Sequence, residues 1–196
     1  MMTKAEKTKQ YIIEQTAPLF NTKGVAATAI SDIMAVTNLA KGSLYVHFSN
    51  KDELAYSVVA YNIQLFIDRS GEEVAHFVSA HDKFFAVLDL LSDPLNHPIK
   101  GGCPILNFGM EADDTSPVIR DIVNQAIGDI QHFMKALLQK GIDDGEFKPD
   151  WDIHTFVVKA FAMLEGGILV SRIAQDNSQM LLLINLMKQE IDAQLL

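Results

Sequence analysis

Apolar positions recur at helical spacing along nearly the whole chain, and no stretch alternates with the period of two expected of a half-buried strand. Tyr11, Ile12, Ile13, Ala17, Leu19 and Phe20 define a first helix. Lys23-Gly24 closes it with a cation and a residue tolerant of the left-handed conformation. Pro18 lies inside this helix, removes one backbone donor and crowds the Glu14 carbonyl, so a kink or early break is expected there. Thr28 is placed to cap a second helix over 29–35, with Ile30, Ile33 and Met34 on one face. Val36-Thr37-Asn38 reads as a turn in which Asn38 takes the positive φ. A third short helix follows over 40–48. Asn50 then caps a long fourth one, in which Leu54, Val58, Tyr61 and Leu65 continue the pattern. Further helices are expected near 72–91, 103–112, 116–140, 151–175 and 178–196, parted by Gly, Pro and Asp clusters. The one long irregular stretch, 92–102, is suited to covering a pocket. The fold class is therefore all-α, with a trihelical head over 1–54 and a larger helical domain over 55–196.

Two short helices joined by a three-residue turn, with a third helix ahead of them, have the geometry of a helix-turn-helix. Within 40–48, Lys41, Ser43, Tyr45 and His47 are polar groups able to reach phosphates or base edges, while Leu44 and Phe48, one turn apart, anchor the core. Gly42 allows close approach to a groove, and Lys51 adds a charge beside the first amides of the fourth helix. The run from Lys41 to Leu54 closely resembles the recognition helix and following junction of TetR/AcrR transcriptional regulators. The resemblance is strong over about the first 55 residues; beyond them it extends to length and helical pattern. It implies that Thr28, Lys41, Tyr45, His47 and Lys51 mainly touch the DNA backbone, with Ser43 and Val46 candidates for base reading. It further implies a homodimer on a roughly palindromic double-stranded operator, released by a small-molecule effector and acting as a repressor, with activation the alternative. Two positions depart from the family pattern. Asn38 stands where Gly is usual, and Ala40 replaces a frequent Ser, losing a cap worth about 1 kcal/mol.

The net charge of −9 looks unsuited to DNA until it is divided along the chain. Six lysines face five carboxylates over 1–54, a net +1, and the rest carries −10. An acidic body repels DNA everywhere except at the head, favouring local docking over long-range steering. A hydrophobic share of 48% suffices for a core. No secretory signal pattern and no apolar run of roughly 18 residues is read, so neither export nor a membrane partner is expected. The single cysteine, Cys103, suits a reducing cytoplasm.

In the body, Phe84, Leu88, Cys103, Phe108, Met134, Phe156, Met163 and Gly167 are the candidate effector-pocket residues, and as a set they favour an apolar ligand. Cys103, just before Pro104 at a helix start, is either a reactive thiol or simple packing. Ile168, Ile173, Ile184 and Met187 on the last two helices are the candidate dimer interface, the region through which the family dimerises; Gly166-Gly167 serves either that interface or the pocket floor. Glu73-x-x-His76 and Asp129-x-x-His132 place carboxylate and imidazole on one helical face in two helices, but the further glutamates of a di-iron bundle are missing. No phosphate loop or nucleophile motif appears, so no enzyme, metal or cofactor is expected.

Overall fold

The computed structural model describes residues 2–196; Met1, where the first expected domain begins, lies outside them. Among the described residues are nine α-helices: α1 (Lys4–Lys23), α2 (Ile30–Thr37), α3 (Lys41–His47), α4 (Lys51–Val74), α5 (Ala80–Leu90), α6 (Pro104–Ala112), α7 (Pro117–Asp143), α8 (Ile153–Ala174) and α9 (Ser178–Asp192). A short 3-10 turn, Pro94–Asn96, lies in the irregular stretch before α6, and the only β feature described is an isolated bridge between Phe147 and Leu195. The chain is all-α, as its periodicity requires.

Local chemistry fixes the helix ends. Thr3 and Glu6 cap the start of α1 reciprocally, the Glu6 amide donating to Thr3 Oγ1 at 3.2 Å and the Thr3 amide to Glu6 Oε2 at 2.7 Å. The helix ends at Gly24, whose φ of 85° is costly for any side chain. It runs through Pro18 without the expected break, because Ala17 before the proline and Phe20 and Asn21 after it are all buried. The expected cap at Thr28 is corrected. The Thr28 hydroxyl turns back to donate to the Gly24 carbonyl at 2.6 Å, and Asp32 accepts from the Ala29 amide at 2.9 Å instead. Asn38 takes the left-handed conformation, with φ 54°, and ends α2 at Thr37. At the next junction the Glu53 amide donates to Asn50 Oδ1 at 2.8 Å, starting α4 where the sequence places it.

One expected helix is really two. The stretch 72–91 contains the end of α4 and all of α5, because Ser79 caps α5 and the Glu146 carboxylate accepts from the Ala80 and His81 amides at 3.0 and 3.1 Å. A partner 66 residues away in sequence sets that boundary, so periodicity cannot show it.

The residues cluster into two compact units, and no single cut in the chain separates them. The first comprises Met1–Phe66 and Ile99–Asn124, around a core that includes Ile12, Phe20, Ile33, Leu44, Phe48 and Phe108. The second comprises Ile67–Pro98 and Gln125–Leu196. Its core holds a run of touching rings, with Phe84 to Phe156 at 5.7 Å between centroids, Phe156 to Trp151 at 5.0 Å and Trp151 to Phe147 at 5.2 Å. Against expectation, α8 is long and apolar enough to cross a membrane, with a mean hydropathy of 1.6. In this fold it is a core helix of the second unit, with Ile153, Phe156, Leu164 and Ile168 buried and α9 packed beside it.

Candidate nucleic-acid interface

The two faces of α3 have opposite characters. Leu44 and Phe48 are 4% and 3% exposed and seat the helix on the first unit's core. On the other face Lys41, Gly42, Tyr45 and Val46 are exposed, Val46 at 79%, while Ser43 and His47 are half-buried at the margins. A β-branched side chain held largely in water suits contact with an external apolar group, such as a thymine methyl. Gly42 tells the same story. A methyl group added there would meet nothing within 4 Å, so the glycine answers no internal demand. The exposed face of α3 is thus Lys41, Gly42, Tyr45 and Val46, flanked by Ser43 and His47.

Thr28 does not join this set. Its side chain is fully buried and its hydroxyl is already engaged at Gly24, so it shapes the α1–α2 turn instead of meeting solvent. Lys51 is half-buried at the start of α4, its Nζ 3.3 Å from the Ala26 carbonyl oxygen. That is a single neutral acceptor, which leaves the cation's charge uncancelled. Two other head lysines are matched. Lys9 pairs with Glu53 at 3.2 Å and lies over the Phe48 ring, and Lys23 pairs with Asp32. Asp32 is held ionised below the usual carboxylate range by the Lys23 hydrogen bond and then by the Ala29 amide; Glu53 is held low by the Ser49 amide and hydroxyl and by Lys9. These carboxylates cap helices α2 and α4 and so keep the helix-turn-helix in one shape.

The comparisons with known proteins agree with this geometry. Residues 12–58 match the family described as bacterial regulatory proteins, tetR family, and residues 80–187 match the tetracyclin repressor-like C-terminal domain. The chain belongs to the TetR family of transcriptional regulators. A TetR-family regulator from Cytophaga hutchinsonii has a solved structure 31% identical to this chain, with a TM-score of 0.92 over 100% of this chain and 98% of that one. A TetR transcriptional regulator from Chloroflexus aurantiacus is 34% identical, with the same TM-score over 99% of this chain and 98% of that one. An uncharacterized HTH-type transcriptional regulator of Mycobacterium tuberculosis is 28% identical over 176 residues, 86% of each chain.

In this regulator the candidate effector residues fall into both units. Cys103 and Phe108 are buried in the first, and Phe84, Leu88, Met134, Phe156, Met163 and Gly167 belong to the second. Within the second, Phe84 and Phe156 are in ring contact. Gly167 faces α9 closely enough that an added methyl would lie 2.5 Å from Met180 Sδ. Its job is therefore helix approach inside the chain.

The candidate dimer residues need a similar correction. Ile168, Ile184 and Met187 are buried within their own chain, where α8 packs on α9. Ile173, at 76% exposure, points outward. The outward apolar stripe is Val158, Leu169 and Ile173 on α8 with Leu182 and Leu186 on α9. Counting apolar residues on a helix does not say which of its two apolar faces meets its own chain.

Sequence reasoning missed Asn21, Asn107 and Glu111 altogether. Asn21 is buried and donates to the carbonyls of Lys100 and Gly102, both at 2.9 Å, while Asn107 donates to the Asn21 and Gly101 carbonyls, both at 3.0 Å. Glu111 accepts from the Val25 and Ala26 amides. Single polar residues within a helix carry no sequence signal for such long-range bonds.

Proposed function

We propose that this TetR-family regulator is a dimeric repressor that binds a roughly palindromic operator and is released by a small apolar effector. The observation that carries the reading is the split character of α3: a buried Leu44–Phe48 anchor beneath an exposed face of Lys41, Gly42, Tyr45 and Val46. On this reading 1–54 is the DNA-binding domain and 55–196 the sensing and dimerising domain. Lys41, Lys51, Tyr45 and His47 contact phosphates, which fix register, and Ser43 and Val46 meet base edges, which carry sequence.

Dimerisation supplies the second recognition helix and covers the outward stripe of Leu169, Ile173, Leu182 and Leu186, which an isolated chain would leave in water. The effector is held among the Phe, Leu and Met side chains of α5, α7 and α8, whose composition favours an apolar guest. By linkage, an effector that weakens operator binding must itself bind the DNA-bound dimer more weakly, by the same factor.

Selection of bound duplexes from a random pool tests the reading. Wild-type protein should enrich a palindromic site, and Lys41→Ala combined with Tyr45→Ala should lose it; a wild-type chain that enriches nothing refutes DNA recognition by α3.

A further inference from the structure

Helix α6 is fastened to the end of α1 and the turn beyond it by two side chains one turn apart, Asn107 and Glu111. Asn107 joins the buried Asn21 of α1 and the Gly101 carbonyl. Glu111 reaches the α1–α2 turn, where Oε2 accepts from the Val25 amide at 2.8 Å and Oε1 from the Ala26 amide at 2.7 Å. One carboxylate thus satisfies two successive amides of the short segment leading into α2, the first helix of the helix-turn-helix. Bonds from an amide to a charged acceptor are about twice as strong as neutral ones, and using both oxygens fixes direction as well as distance.

The turn is built for this contact. Gly24 has φ 85°, a conformation that favours glycine, and a Cβ there would crowd the Glu111 carboxylate, lying 2.9 Å from Oε2. The contact also has room to open. A cleft of about 330 Å³ borders it, lined by Lys51, Tyr56, Phe108, Glu111, Thr115 and Val118 among others, and Glu111 itself is only half-buried. Leaving the turn moves the carboxylate into space that already exists, lined by Lys51 and the hydroxyl residues Tyr56, Thr115 and Ser116, with Asp52 the one opposing charge. The Asn107–Asn21 bonds, by contrast, centre on a buried asparagine.

We infer that Glu111 is a positioning residue for DNA recognition: its carboxylate on the Val25 and Ala26 amides holds the angle at which α2, and with it α3, leaves α1. A shift of α6 that withdraws Glu111 frees the turn and lowers operator affinity. This inference rests on the operator-binding reading above.

The test compares full-length wild type with Glu111→Gln and Glu111→Asp, reading amide hydrogen exchange at Val25 and Ala26 and affinity for the selected operator. Gln offers a single acceptor oxygen and presents an NH₂ group to the second amide, while Asp keeps the charge and falls one methylene short. Both should speed exchange at these amides and weaken operator binding by about tenfold, within the roughly 5- to 150-fold range of ordinary site-to-site coupling. Simple electrostatics predicts the opposite for Gln, since removing a negative charge near DNA should tighten binding. Operator affinity unchanged or tightened in both variants, or unchanged exchange, overturns the clamp and leaves the regulator reading intact. A wild type that selects no operator overturns both. Because Asp retains the helix, the charge and most of the volume, loss in that variant alone still upholds the clamp if Gln fails to fold.

Discussion

Replacing Lys41 with Ala should change the salt dependence of operator binding by a calculable amount. Lys9 and Lys23 are paired with Glu53 and Asp32, whereas the partner recorded for Lys41 is the Tyr45 ring, 6.0 Å from its Nζ. An exposed lysine without a carboxylate partner keeps its charge for phosphate. Each phosphate neutralised on B-DNA contributes about −0.9 to the slope of log affinity against log salt, and the proposed dimer carries two copies, so the variant's slope should be shallower by about 1.8. Between about 50 and about 200 mM salt this means that wild-type affinity falls about tenfold more than that of the variant. Fluorescence anisotropy on the selected operator at four or five salt concentrations measures both slopes. Lys9→Ala is the control, and its slope should stay close to wild type because Glu53 already matches that charge. A slope change below about 0.5 for Lys41→Ala would refute the assignment of Lys41 to phosphate contact.

Gly141→Ala sets two effects against each other. Helix propensity favours Ala by up to about 1 kcal/mol, but the new methyl would lie 2.5 Å from the buried Phe147 ring and 2.8 Å from Ala80 Cβ, an overpacking that costs about 1–3 kcal/mol. The net expectation is a Tm lowered by several degrees, and a raised Tm in calorimetry would contradict the packing argument. Leu169→Glu with Ile173→Glu should convert dimer to monomer in analytical ultracentrifugation, raising the dissociation constant by at least about a hundredfold, since each buried apolar side chain is worth about 1.5–3 kcal/mol; an unchanged sedimentation coefficient sinks the proposed interface. His81 gives a pH signature. Its partial burial opposes protonation, but hydrogen bonds and charge from Asp192 and Asp82, each 2.9 Å away, outweigh that and hold its pKa above 6.5. The folded state therefore binds this proton more tightly than the unfolded one. The stabilisation is fully present below pH 6.5 and is lost as pH rises through the raised value. The stability difference between wild type and His81→Gln should shrink over that window in urea titrations, and a difference that grows with pH would contradict the sign.

Much of this molecule follows from its sequence alone. Helical periodicity dictates the all-α class, and local chemistry at Lys23-Gly24 and Asn50 sets helix ends correctly, because the groups that satisfy those backbone atoms lie within a few residues; Asn38 takes the expected positive φ, although α2 runs on through Val36 and Thr37, which read as turn. The exposed face of α3 is legible for the same reason: Leu44 and Phe48 must turn inward, so Lys41, Tyr45 and Val46 must turn out. Tertiary structure decided whatever depended on distant partners. Thr28 reads as a cap from its neighbours, yet packing buries it and leaves the cap to Asp32. The break before α5 needs Glu146, and the α1–α2 turn needs Glu111, each more than 60 residues away. On α8 and α9 the sequence supplies more apolar residues than one face can use, and only the packed chain shows that Ile168, Ile184 and Met187 serve its own core while Leu169 and Ile173 face outward. Periodicity records that a helix has an apolar side; which apolar side meets its own chain is set by the position of the neighbouring helix, which no local pattern encodes.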